Sequence, residues 1–103
     1  MVKEITNSQL LRKVLADGAL LIDVRENEEV EEGALNYDDH WPLSSFGLRQ
    51  TEISKTRPTI FYCRSGVRSF KAAEIASEWT DQPVYTLGGG YLEFKEQNSS
   101  KKG

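Results

Sequence analysis

The 103-residue chain holds one cysteine, one histidine and one methionine. A lone cysteine excludes an internal disulfide, and one cysteine with one histidine supplies too few of those ligands for a zinc site. No apolar run approaches the roughly 18 residues of a membrane span. Cations do not dominate either. Lys and Arg number 13 against 16 Asp and Glu, and the net charge of −3 argues against a broad nucleic-acid footprint. Met1-Val2-Lys3-Glu4-Ile5 lacks the basic-then-apolar order of a secretory signal. A lone functional thiol suits a reducing compartment, so a cytoplasmic protein is expected, with neither membrane nor nucleic acid as partner. Nothing in the chain asks for a metal or a cofactor.

What is present is ordinary globular material, with 38% hydrophobic and 28% charged residues. The length suits one domain. We place it over residues 1–97, with a polar tail over 98–103 that is expected to fray.

The chain is organised around Thr59-Ile60-Phe61-Tyr62-Cys63-Arg64-Ser65-Gly66-Val67-Arg68-Ser69-Phe70. It opens as a short apolar run, which reads as a buried strand. It ends in a stretch from Ser69 to Trp79 in which Ala72, Ile75, Ala76 and Trp79 fit the stripe of an amphipathic helix. Between them lies a tight loop with the cysteine, a glycine and two arginines. A strand–loop–helix turn aims backbone N–H groups at the loop's occupant, and the helix adds a positive dipole end. A thiol held there ionises more easily, whereas a free one is only a few per cent thiolate at pH 7. The bland alternative is a small core hydrophobe. Arg64, Gly66 and Arg68 in the same turn weigh against it.

The remaining elements follow in order. Val2 to Ile5 reads as an edge strand. Thr6 and Gln9 suggest a capping box, and Leu10, Leu11, Val14 and Leu15 a helix face stopped at Gly18. Leu20-Leu21-Ile22-Asp23-Val24 reads as a strand buried on both faces of a parallel sheet. Ligands of open α/β sheets bind beyond the carboxyl ends of strands, so Arg25 and Cys63 should share a rim. Asp23 either pairs with a loop arginine or caps a turn. Glu26 to Glu32 reads as a solvated short helix or loop. Asp38 to Leu43 reads as a short strand, with His40 structural or exposed rather than catalytic. Ser44 to Ile53 suggests a helix with Phe46 and Leu48 inward. Pro83 to Leu87 reads as the last strand. The glycines Gly88, Gly89 and Gly90 then permit either a close backbone approach to a ligand or to the Cys63 loop, or a loose turn into the last helix. Tyr91 to Gln97 reads as a helix with Tyr91 and Phe94 on one face. The alternation predicts an α/β fold with a mostly parallel five-stranded sheet covered by helices on both faces.

Several pieces resemble single-domain rhodaneses, the thiosulfate-type sulfurtransferases. They are Leu21-Ile22-Asp23-Val24-Arg25-Glu26, Glu32-Gly33, Trp41-Pro42-Leu43-Ser44, the loop from Cys63 to Ser69, and Val84-Tyr85-Thr86-Leu87-Gly88-Gly89-Gly90-Tyr91. They occur in the family's order. Gly33-Ala34-Leu35 departs from the family's usual Gly-His-Ile, and Asn36-Tyr37-Asp38 is also atypical. The resemblance implies a rhodanese-like fold and a persulfide on Cys63. It implies a cradle of loop groups from Arg64, Ser65, Gly66, Val67, Arg68 and Ser69, supported by Asp23, Arg25, Gly89 and Gly90. Arg64, Arg68 and Arg25 would draw in a small anionic sulfur donor such as thiosulfate. The acceptor would be cyanide, a small thiol or a protein thiol. Both half-reactions are displacements at sulfur and need no general base once the thiol is ionised.

Two other readings compete. Cys-loop phosphatases and arsenate reductases resemble Cys-x5-Arg, whereas Cys63 to Arg68 is Cys-x4-Arg, with no aspartate in the loop and no second cysteine. A non-catalytic rhodanese-like module that binds a partner would usually lack the cysteine or the loop arginines, and this chain keeps both.

Overall fold

The computed structural model describes residues 2–98, without the side chains of residues 97 and 98. Its strands are β1 (Val2–Ile5), β2 (Leu20–Asp23), β3 (Asp39–His40), β4 (Thr59–Tyr62) and β5 (Val84–Leu87). They form one sheet in the order β1-β5-β4-β2-β3, and every pairing is parallel. Val2–Ile5 is thus an edge strand, as its sequence suggests. The helices are α1 (Ser8–Ala16), α2 (Asn27–Glu32), α3 (Val67–Ala76) and α4 (Gly90–Asn98), with a 3-10 segment over Leu43–Glu52. No described helix is long and apolar enough to cross a membrane.

β4 is central, and all four of its residues are buried. Successive strand side chains point to opposite faces, so β4 feeds two cores. Phe61 joins Ile22, Trp41, Phe46, Ala72 and Ala76 on the face covered by α3 and the 3-10 segment. Ile60 and Tyr62 join Ile5, Leu11, Leu35, Leu87 and Phe94 on the face covered by α1 and α4. Cys63, the next residue after β4, falls on the α3 side.

Several local expectations shift. Asn7, not Thr6, caps α1, its side chain accepting from Leu10 N at 2.8 Å. Leu11 and Val14 face the core, while Leu10 stays 37% exposed. α3 begins at Val67 and packs through Ala72, Ala73 and Ala76, leaving Ile75 exposed. Small residues let this helix sit close to the sheet, so alanines rather than the larger apolar residue take the inner side. Phe46 is buried, but Leu48 is 81% exposed. Residues two apart on a helix do not share a face, so only one could turn inward. α4 runs to Asn98, one residue into the stretch read as a polar tail, and residues 99–103 lie outside the described part.

Candidate active site

β2 and β4 are neighbours, with Asp23 beside Tyr62, so their carboxyl ends open on one rim. Arg25 and Cys63 both emerge there. After β4 the chain turns through Arg64, Ser65 and Gly66 into α3. Gly66 has φ 106°, and a Cβ there would meet Gly89 N and Leu87 O at 3.2 Å. Only glycine suits that geometry. The turn doubles back on its own cysteine. Gly66 N donates to Cys63 Sγ at 3.1 Å and Ser69 N at 3.3 Å. Ser69 Oγ lies 3.6 Å from the sulfur and 2.7 Å from Thr86 Oγ1.

Burial pushes the thiol pKa up, since Cys63 is only 1% exposed. The Ser69 hydroxyl and the amides of Ser69, Gly66 and Ser65 outweigh that and hold it below the ordinary thiol value. The contacting amides are therefore a subset of those the loop offers. Hydrogen bonds lead, and the guanidinium groups do less than the sequence suggested. The Ser69 hydroxyl and its partner Thr86 were not foreseen in this role. A buried threonine in a strand gives no signal of it until α3 is laid over β5.

Arg25 is buried and fully engaged. Its Nε lies 3.2 Å from both Asp23 oxygens and its Nη2 lies 2.9 Å from Asp23 Oδ2. Nη2 also donates to Gly33 O at 2.8 Å, and the guanidinium sits 4.4 Å from the Tyr91 ring centre. Asp23 thus pairs with Arg25 and not with a loop arginine. It also caps the turn, accepting from Arg25 N at 2.8 Å. Arg25 braces the rim and is in no position to draw in a donor by itself. His40 Nε2 lies 2.6 Å from Arg25 O. The atypical Ala34 and Leu35 are buried, and Leu35 N donates to the Tyr62 hydroxyl at 3.0 Å.

The loop arginines differ. Arg68 Nη1 and Nη2 each donate to one oxygen of Glu29 at 2.8 Å, a two-point ion pair. Arg68's hydrogen bonds hold the Glu29 pKa down to about 2. The segment read as solvated thus supplies a residue of the site. Arg64 is exposed and, among the described residues, makes no ion pair. It lines a cavity of about 280 Å³ with Arg25, Glu29, Gly33, Tyr91 and Lys95. Val67, the next residue after the loop glycine, is 76% exposed.

The glycines at the end of β5 make a close approach and not a loose turn. A Cβ on Gly90 would meet Cys63 O and would lie 2.7 Å from Arg64 O. Tyr91 N donates to Cys63 O at 2.8 Å and Leu92 N to Arg64 O at 3.1 Å. The first turn of α4 thus clamps the two backbone carbonyls that directly follow the thiol-bearing carbon.

Comparison with known proteins agrees with this architecture. The family description "Rhodanese-like domain" matches residues 6–97. A putative sulfurtransferase of Bacillus subtilis, YtwF, is 36% identical over 89 residues, 85% of this chain and 86% of the relative. A protein of Allochromatium vinosum named sulfurtransferase is 35% identical over 94 residues, 89% of this chain and 87% of the relative. The solved rhodanese-like domain protein from Staphylococcus aureus superposes with a TM-score of 0.80 at 23% identity, covering 98% of this chain and 99% of that one. That last likeness shows the shared fold.

Proposed function

Because the chain belongs to the rhodanese-like domain family, we propose that it is a sulfurtransferase working through a persulfide on Cys63, with an anionic donor such as thiosulfate. The observation that carries this is the thiol itself, gripped by Gly66 N, Ser69 N and the Ser69 hydroxyl, with its pKa held down. A thiolate is the nucleophile in exchange at sulfur.

In the first half-reaction the Cys63 thiolate attacks the outer sulfur of thiosulfate. A new S–S bond forms, the old one breaks, and its electron pair leaves on sulfite. The charge carried by thiolate and thiosulfate reappears on persulfide and sulfite. In the second half-reaction cyanide or a thiolate attacks the outer persulfide sulfur, and the Cys63 thiolate returns as leaving group. The same cradle that stabilises the attacking thiolate stabilises the departing one. No proton moves at sulfur in either step, which suits a site where the histidine is spent on a backbone carbonyl.

Arg64, the exposed residue that follows Cys63 in the chain and is free of an ion pair among the described residues, is the cation we assign to donor attraction. Ser65 and Gly66 supply amides, Val67 and Arg68 open α3, and Ser69 supplies an amide and a hydroxyl. Gly90 and the Asp23–Arg25 pair hold the rim. The engagement of Arg68 by Glu29 also weighs against a phosphatase, which needs that guanidinium for its oxyanion. The test is intact-protein mass spectrometry after thiosulfate treatment. Cys63 should gain one sulfur atom, lose it to cyanide or a thiol, and gain none in Cys63→Ser. Turnover retained by Cys63→Ser ends the reading.

A further inference from the structure

Two of the three arginines at the rim carry their own counter-charge. Arg25 is matched by Asp23, and Arg68 by Glu29. The Glu29 carboxylate is held in place from several sides. Its Oε1 accepts from Glu26 N at 3.0 Å as half of a capping box, and its carbonyl lies 3.4 Å from Arg25 Nη1. Arg68 arrives from α3, in the turn that closes over the sulfur, and its charge and that of Cys63 act on each other. The Arg68 side chain is about one-third exposed, so solvent reaches it.

We infer that Glu29 is a positioning residue for donor choice: by holding Arg68 in a neutral pair, it keeps the site from concentrating multiply charged sulfur donors. This rests on the sulfurtransferase reading and adds a substrate preference to it. With the latch closed, the loop presents one unpaired cation, Arg64. With it opened, the loop presents two. A dianion responds to an added charge about twice as strongly in free energy as a monoanion, so the fold-change is roughly squared. Solvent screening keeps each factor modest.

Glu29→Gln opens the latch with little else disturbed, since the Gln oxygen still accepts from Glu26 N. The probes are thiosulfate, a dianion, and an aryl thiosulfonate, a monoanion with the same kind of outer sulfur. KM for thiosulfate should fall about ten-fold and KM for the thiosulfonate about three-fold, with kcat within about two-fold for both. Raising the salt from about 0.05 to 0.5 M should shrink both changes. Glu28→Gln, an exposed neighbour on α2 that removes the same formal charge, should leave both KM values unchanged. Equal changes for the two donors, no change, or the same effect from Glu28→Gln overturns the inference while the sulfurtransferase reading stands. If the unaltered protein moves sulfur from neither donor onto Cys63, both fall together.

Discussion

Thr86 Oγ1 lies 2.7 Å from Ser69 Oγ, and both residues are buried against the Cys63 loop. Thr86 therefore acts on the thiol at one remove. When it donates to Ser69, the Ser69 hydroxyl hydrogen is left for Gly66 O, 3.3 Å away, or for the sulfur once Cys63 is ionised, and each bond polarises the next. Ser69→Ala should lower the rate of Cys63 alkylation at pH 7 about five-fold, and Thr86→Val about two-fold. The check is the pH dependence of alkylation by a small reagent, which should move to higher pH in the same order. A larger effect from Thr86→Val than from Ser69→Ala contradicts this chain of influence.

The lowered thiol pKa also makes stability depend on pH. The folded value lies below the reference of 9.0, so the folded state releases its proton first. The resulting stabilisation is complete above the unfolded value and is lost as pH falls through the folded one. Cys63→Ser carries no such term. The difference in unfolding free energy, wild type minus Cys63→Ser, should therefore grow as pH rises towards 9.0. Urea titrations at several pH values measure it. A flat or falling difference would show that the cradle does not favour the anion.

Glu29 gives the opposite end of the pH scale. Its pKa falls from 4.5 to about 2 because Arg68 donates two hydrogen bonds to it. The ion pair contributes fully above about pH 4.5, and the contribution disappears as pH falls through about 2. The pair is about one-third exposed on each side, so its worth is screened and should stay under about 1 kcal/mol. Thermal midpoints of wild type and Glu29→Gln should differ slightly at pH 7 and converge near pH 2. A gap that persists at pH 2 would mean that Glu29 stabilises the fold by something other than charge.

The sequence carried the sheet and the cysteine loop clearly, because both are local. Thr59-Ile60-Phe61-Tyr62 is apolar enough to be a central strand wherever it folds, and Gly66 marks a turn by itself. The placement of Arg25 and Cys63 on one rim followed from the parallel topology. What was hidden is long-range. Glu29 reads as one more acidic residue in an acidic segment, and only the meeting of α2 with α3 gives it Arg68. Asp23 and Arg25 are close in sequence, but Asp23 reads there only as a partner for a loop arginine or as a turn cap, and the fold that buries both side chains together makes them a pair. Leu48 was misplaced because its apolar character was weighed above its spacing, which two residues from Phe46 already put it on another side of the helix.

The Asp23–Arg25 pair is buried on both sides, with side-chain exposures of 0% and 3%. Removing one member leaves the other charge without a partner in a dry setting, which costs about 3–5 kcal/mol. Arg25→Ala should lose that much, since Asp23 is then stranded and Gly33 O loses its donor. Lys13→Ala, which breaks an ion pair exposed by 72% and 66%, should cost less than about 1 kcal/mol. Chemical denaturation of the two variants decides it. Comparable losses would mean that solvent reaches the rim pair.

Three glycines separate backbone strain from crowding. Gly47 has no neighbour within 4 Å of an added Cβ and an ordinary φ, so Gly47→Ala should change stability by less than about 0.5 kcal/mol. Gly18 is equally open but sits at φ 108°, so Gly18→Ala should cost about 1 kcal/mol from backbone strain alone. Gly90 combines a φ of 56° with a Cβ driven into Cys63 O and placed 2.7 Å from Arg64 O. Those are backbone atoms and cannot swing aside, so either α4 lifts or the loop moves. Because Tyr91 N and Leu92 N hold the same two carbonyls, both outcomes loosen the cradle. Gly90→Ala should therefore cost more than about 2 kcal/mol and also slow Cys63 alkylation at pH 7, whereas Gly18→Ala should leave alkylation unchanged. Loss of stability in Gly90→Ala with an intact alkylation profile would show that the α4 clamp supports the fold without shaping the thiol.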